Sequence, residues 1–554
     1  MNTDAQPSRA AAMRQLHAGD FRGAVAMLKA VADAREDPED RLLLGRLAYV
    51  AIDFAEAKQQ FERAYRDFLG ANLPRRAATA AAALGVLHTD GLEEPAVGQG
   101  WFGRARRLLD DQGPCVERGY ALLALMGASV SDADALATNA QEALDIAHRF
   151  ADRALECKAL GDWGLALVSM GRIGEGMSHI DEACTMIMSG ECADPSVTSV
   201  VLCGMLTACD RCGDITRAQT WLRYVEDASS ALQAARVPAL AHCWTAVGSV
   251  LCQVGRIREG ETALRMGLAK GDASFRHLRL ATRAALADLW IRQGRLDDAA
   301  PLVSDDVERV EIMGPRARLS LAQRQFDLAA ALARQALRQL RGDRLRSAPL
   351  LLTVVDAEIG CGNVEAAADA ANQLTDLAGD CEAQSVSVLA ALGRARVALA
   401  RDESDTAIRN LEEAASSIEA NRFPYLTASL QLELARAHRA HTPAAAAVAA
   451  ETALALYGPA DAPEAEAAAG LLRQLGRPVS PRKRPPTALD VLSRREREVL
   501  ACLAEGLSNP QIAERLFITP KTAEHHVSSI LSKLSLKNRV EAAAFAASMH
   551  IIAG

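Results

Sequence analysis

Apolar residues recur at helical spacing along almost the whole chain, and the punctuation between the periodic runs is densest near the carboxyl end. Ser493 can cap a helix through Arg494-Arg495-Glu496-Arg497-Glu498, with Glu496 placed to close a capping box. Val499, Leu500 and Leu503 give that helix its apolar stripe, and Gly506 ends it. Asn509 as cap and Pro510 at the first helical position open a second helix carrying Ile512, Ala513, Leu516 and Phe517. Thr519-Pro520 repeats the cap-then-proline signal for a third, whose core positions are Ala523, Val527, Ile530, Leu531 and Leu534. A fourth, roughly Arg539 to Met549, presents Val540, Ala543, Ala544 and Ala547.

Two helices joined by a turn of about three residues form the helix-turn-helix geometry, which lays its second helix in a DNA major groove. On a wheel of about 100° per residue, the third helix points Lys521, His525, Ser528 and Ser532 away from its core stripe, flanked by Thr522, Glu524 and Ser529. Short polar side chains near a helix N-terminus suit base reading, and the free N–H groups there suit a phosphate. A surface helical hairpin with no nucleic-acid role is the plain alternative.

The run from Leu492 to Ala546 resembles the LuxR/GerE-type DNA-binding domain over its whole length. The resemblance rests on Arg495-Glu496-Arg497-Glu498-Val499-Leu500, Glu505-Gly506-Leu507-Ser508-Asn509, Ile512-Ala513, Thr519-Pro520-Lys521-Thr522, His526-Val527, Lys533-Leu534 and Asn538-Arg539-Val540-Glu541-Ala542. It implies a bacterial transcription regulator that binds double-stranded DNA at an inverted repeat as a homodimer and works with RNA polymerase. On that reading the DNA-contacting set is Thr519, Lys521, Thr522, Glu524, His525, His526, Ser528, Ser529, Ser532, Lys533, Lys537 and Arg539. Val540, Ala543, Ala544 and Ala547 then supply the dimer contact. Ala523, Ser535 and Glu524 depart from the family pattern: the first two trim packing, and the acidic Glu524 bears on which bases are read.

Upstream, from about residue 10 to 475, the pattern becomes a repeat. A small residue in mid-helix is followed by a Gly- or Asp-containing turn, then Ala or Gly, then a large apolar residue. Gly45, Asp53, Ala57, Phe61 and Ala64 make one instance. Trp163, Gly164, Gly171, Gly176 and Ile180 make a second, and Trp244, Gly248, Gly255, Gly260 and Leu264 a third. The turn glycines Gly171, Gly213, Gly255 and Gly294 are spaced by 42, 42 and 39 residues. Antiparallel helices approach closely only where Gly or Ala removes bulk, and large residues fill the groove of the next hairpin. The pattern resembles tetratricopeptide hairpins, about ten of them stacked as a superhelix with a concave binding face. Its register is open over 90–155 and 300–350. The tryptophans Trp163, Trp221, Trp244 and Trp290 read as core rather than as a ligand box.

Composition sharpens this picture. The chain has 554 residues, half of them apolar and 4% aromatic, which favours helix-on-helix packing of small side chains. Its net charge is −8; from Pro481 onward 11 Lys and Arg stand against 7 Asp and Glu, a net of +4, so the remainder carries −12. A basic tail on an acidic body confines any DNA contact to one end. No signal peptide and no membrane-length apolar run are visible, so the expected setting is the bacterial cytoplasm, at the nucleoid. The 12 cysteines read as small hydrophobes in a reducing compartment, and Cys209-Asp210-Arg211-Cys212 lacks the second pair that a metal site would want.

The expected organisation is therefore all-α: a tetratricopeptide-like α-solenoid over 1–475, a Pro/Arg-rich linker over 476–490, and a four-helix LuxR-type domain over 491–554. The two parts resemble the carboxyl half of large LuxR-type regulators of the MalT kind, without their ATPase, since no Gly-x-x-x-x-Gly-Lys-Ser/Thr loop occurs. Neither a cofactor nor a metal is expected, and no enzyme motif is present. The repeats are expected to bind a small-molecule or protein effector that controls presentation of the DNA-binding domains. A promoter-recruited docking scaffold for a partner protein is the alternative.

Overall fold

A computed structural model describes residues 9–17, 21–124, 131–192, 194–227, 240–271, 276–304, 309–458, 462–477, 479, 492–504, 507–516, 518–534, 539 and 542. The chain divides into two compact units, Met1–Arg477 and Pro478–Gly554. Among the described residues both are helical, and the one β-bridge joins Asp132 to Arg341.

The first unit is a TPR-like α-solenoid of antiparallel hairpins. They run from Arg9–His17 with Phe21–Arg35, through Arg153–Ser169 with Ile173–Met188, to Pro424–His438 with Pro443–Tyr457, and Pro463–Gln474 follows. The stretches whose register the sequence left open resolve as Pro74–Val86 with Pro95–Leu109, Val116–Ala124 with Ala133–Phe150, and Val310–Ala322 with Phe326–Gln339. Residues Leu87–Gly91 continue the Pro74–Val86 helix as a π-turn, which explains the irregular spacing there.

The mid-helix glycines act through close approach. A Cβ on Gly164 would lie 2.5 Å from the carbonyl oxygen of Gly176, and one on Gly176 would lie 2.6 Å from that of Gly164. Gly248 and Gly260 repeat the arrangement, at 2.9 and 2.8 Å. Each pair lets two backbones touch where any side chain would hold them apart.

The first helices of successive hairpins also touch one another: Arg276–Arg292 meets Val310–Ala322, and Gln384–Ala400 meets both Arg344–Gly360 and Pro424–His438. Among the described residues no comparable contact joins two second helices, so the first helices form the inner layer of the curve.

The array coils back on itself, so that early hairpins contact later ones. Ala133 N–H donates to the Arg341 carbonyl at 2.8 Å, and Arg341 N–H donates to that of Ser131 at 2.8 Å. Glu382 N–H donates to Gly171 O at 2.9 Å, and Gly174 N–H donates to Glu382 Oε2 at 2.8 Å. Arg422 donates to Cys212 O at 3.2 Å, and buried Asp343 pairs with Arg211 at 3.4 Å. Turns of early hairpins thus dock on the helix starts of later ones. Gly171 and Gly213, with φ of +91° and +70°, are needed both for the left-handed turn and because a Cβ there would strike Cys381 or Phe423. The cores merge accordingly, with Ala140, Leu155, Ile180 and Met205 packed in one cluster with Ala348, Leu374, Val386 and Ala390.

The tryptophans divide. Trp290 is buried, its indole N–H on Glu261 at 3.0 Å and its ring under Arg265 and Arg295. Trp163 is half-buried and stacks on His179 at 4.3 Å, and Trp221 donates to Asp181 at 2.9 Å. Trp244 is a correction: it is 37% exposed, because Gly248 one turn later already brings the partner helix too close for an indole to fit between them. Cys209 and Cys212 are buried, and burial raises both thiols above their ordinary range. No helix of the described residues is long and apolar enough to cross a membrane.

Candidate nucleic-acid interface

Three short helices make up the described part of the C-terminal unit: Arg494–Ala504, Asn509–Arg515 and Pro520–Lys533. They close on a core of Leu492, Val499, Leu500, Leu503, Ile512, Ala513, Ala523, Val527 and Ile530, with Ala542 added from beyond. The apolar stripes read from the sequence are the ones that meet.

The helix starts are built by side chains. Ser493 N–H donates to Glu496 Oε2 at 2.6 Å, and Glu496 N–H donates to Ser493 Oγ at 3.3 Å, the reciprocal pair of a capping box. At the second helix the cap is Ser508, not Asn509, which is the first helical residue. Ser508 N–H and Oγ donate to Gln511 Oε1 at 2.8 and 2.7 Å. A serine followed three residues later by glutamine reaches both ends of a capping box, and Pro510 then falls at the second helical position. At the third helix Thr519 caps as expected, accepting from Thr522 N–H at 3.2 Å.

The third helix is fixed to the first through one carboxylate. Glu496, 4% exposed, accepts from Ser529 Oγ at 2.5 Å, while Lys533 Nζ lies 2.8 and 2.7 Å from its two oxygens. Lys533, then Ser529, then the Ser493 groups hold this carboxyl down at about 2, against the desolvation of its buried site. Arg495 bridges Glu498 at 2.6 Å and also donates to the Leu516 carbonyl, locking the second helix to the first. Arg539 donates to Leu507 O at 2.7 Å.

With its inner face held, the Pro520–Lys533 helix exposes Lys521, Glu524, His525, Ser528 and Ser532 on one side, beginning beside the Thr519 cap. Thr522 and His526 are half-buried, and the hydroxyls of Thr519 and Thr522 are 2.8 Å apart. Ser529 and Lys533, read from sequence as DNA contacts, have their polar atoms on Glu496. Lys537, the Val540, Ala543, Ala544 and Ala547 set, Gly506, Phe517, Ser535 and most of the linker lie outside the described residues.

Residues 490–546 match the family described as bacterial regulatory proteins, luxR family. The C-terminal unit is a LuxR-family helix-turn-helix domain. The transcriptional regulatory protein LiaR of Bacillus subtilis (strain 168) is 46% identical over 61 residues, 11% of this chain and 29% of LiaR. The DNA-binding transcriptional activator DevR/DosR of Mycobacterium tuberculosis (strain ATCC 25618 / H37Rv) is 47% identical over 58 residues, 10% of this chain and 27% of that protein. The match thus spans under a third of these curated relatives. Among solved structures, the chain is similar to the APC/C hetero-tetramer Cut9-Hcn1, with 14% identity, a TM-score of 0.37, and coverage of 84% of this chain and 95% of that one. It is also similar to yeast Tom70, with 13% identity, a TM-score of 0.33, and coverage of 79% and 97%. At these scores the repeat assignment stands on the hairpin packing described above.

Proposed function

We propose that the protein is a sequence-specific transcription regulator in which the LuxR-family domain reads duplex DNA and the helical repeats receive the controlling signal. The observation that carries the reading is the Pro520–Lys533 helix: Glu496 pins one side of it, and the opposite side carries exposed polar residues starting at a capped N-terminus. Lys521 and Thr522 hold a phosphate at that N-terminus, where free N–H groups add to the attraction. Glu524, His525 and Ser528 face base edges, and a carboxylate there accepts from cytosine N4. Ser529 and Lys533 act by holding the helix at its angle rather than by reading sequence.

On this proposal the protein binds an inverted repeat as a homodimer, and an effector on the repeat unit changes how two DNA-binding domains are offered to the half-sites, with RNA polymerase as the downstream partner. The site of action is the bacterial cytoplasm, at the nucleoid. The test is to incubate the purified protein with fragments of its own genome and sequence what is retained. Discrete enriched sites sharing an inverted repeat are expected; uniform retention of fragments would defeat the reading.

A further inference from the structure

Between early and late hairpins of the repeat unit lies a partly open cavity of about 100 Å³, lined by Leu240–Gln253, Ile257–Gly271 and Arg276–Arg292 on one side and by Tyr425, at the start of Pro424–His438, on the other. Its walls are apolar where Ile257, Leu264, Ala285 and Leu289 meet it.

Most polar groups on the wall are already engaged. Asp288 accepts from Arg318 Nε and Nη2 at 2.8 and 2.5 Å. Gln253 Nε2 donates to the carbonyl and carboxylate of Asp210 at 2.9 and 3.1 Å, and Ser249 lies close enough to that carboxylate to favour its charged form. Gln293 Oε1 accepts from Arg295 at 3.3 Å.

Arg292 differs. Its guanidinium lies over the Tyr425 ring, 5.2 Å from the centroid, and among the described residues no carboxylate forms an ion pair with it. Asp210 feels its charge without touching it. A guanidinium held over an aromatic face through its charge still has its N–H fork to offer, and that fork takes a carboxylate side-on.

We propose that this cavity binds a short-chain aliphatic monocarboxylate, with the carboxylate on Arg292 and the alkyl body against Ile257, Leu264 and Leu289. Size supports this class: a dry cavity of about 150 Å³ takes benzene, so this one takes a body of about four or five heavy atoms. Charge supports it as well. One unpaired guanidinium neutralises one negative charge, whereas a dianion such as phosphate would meet Asp288 on the wall and Asp210 behind Ser249. A ligand held this way ties Arg276–Arg292 to Pro424–His438 and so staples successive turns of the coil. The inference names an effector class for the repeat unit, and as a statement about sensing it rests on the regulatory reading above.

The test is isothermal titration calorimetry of the full chain with butyrate, butyramide and inorganic phosphate. Butyrate is expected to bind at one site per chain, with butyramide and phosphate at least tenfold weaker. Arg292→Gln, a change at an exposed side chain that leaves the circular dichroism and melting temperature as they were, should weaken butyrate at least tenfold. Ala285→Leu, which fills the cavity and keeps the guanidinium, should weaken it similarly. Equal binding of butyrate and butyramide, no butyrate binding, or undiminished butyrate binding to Arg292→Gln would overturn the proposal. Calorimetry decides the cavity independently of DNA: a chain that takes butyrate and ignores duplexes keeps the site and loses the regulatory reading.

Discussion

Lys533, on the last turn of the Pro520–Lys533 helix, reaches back to Glu496 on the first helix of the same domain, its Nζ 2.8 and 2.7 Å from the two carboxylate oxygens. The same carboxylate takes the Ser529 hydroxyl and caps its own helix through Ser493. One buried acid therefore both starts the first helix and sets the angle at which the third is presented.

Glu496→Gln should cost the domain about 1–3 kcal/mol, since it leaves Lys533 without its counter-charge and weakens two hydrogen bonds. The pH dependence follows from the depressed carboxyl. The unfolded chain takes up this proton near 4.5 and the folded one only near 2, so stability falls as pH drops through that window. Denaturation of wild type between pH 5 and 2 should show this loss, and Glu496→Gln should show a correspondingly flatter profile.

Lys521→Ala and His525→Ala should separate affinity from specificity. The first removes the proposed phosphate contact, so binding should weaken similarly on all duplexes and the slope of log K against log salt should fall by about 1. The second removes the proposed base contact, worth about 1–3 kcal/mol, and should relax preference at one or two positions. Fluorescence anisotropy on single-base-substituted sites, at fixed salt, distinguishes the two.

Gly164→Ala should loosen one hairpin. The new Cβ falls on the Gly176 carbonyl, and forcing Arg153–Ser169 from Ile173–Met188 costs about 1–3 kcal/mol. Hydrogen exchange should report this as about five- to 150-fold faster opening in those two helices, with the LuxR-family domain unchanged.

Asp210→Asn should stabilise the repeat unit. Burial raises this carboxyl from 3.8 to about 6, so the folded chain keeps a proton that the unfolded chain has already lost. Above that range folding carries the cost of ionising the group in place, and stability falls as pH rises through it. At pH 7 the substitution should gain about 1–2 kcal/mol, and below pH 4 the gain should vanish. Thermal melts at the two pH values check this.

Much of the domain was legible because its signals are local. The Ser493–Glu496 capping box, the Thr519-Pro520 start and the stripe of Ala523, Val527 and Ile530 each lie within one helix. Asn509 suits a cap by residue type, but the Ser508–Gln511 box competes with it and sets the helix start one residue earlier. Spacing within a helix could not show that Ser529 and Lys533 turn toward Glu496, because that acid sits on another helix. In the repeats, small residues and turn glycines announced the hairpins, but not that the Gly171 turn lands on Glu382 or the Gly213 turn on Phe423. Those contacts join segments far apart in sequence, where helical periodicity carries no information. Trp244 misled for a related reason: its position in the repeat suits a large residue, yet close approach at Gly248 leaves the indole no interior.

The central claim is that the exposed face of the Pro520–Lys533 helix reads base sequence. The most direct measurement is the affinity of the purified full-length chain for an enriched genomic site against a shuffled duplex of equal length and composition, at one physiological salt concentration. A preference of about 10³ or more is expected, with His525→Ala bringing the two affinities closer together. Equal affinity for both duplexes in the wild-type chain would contradict the account.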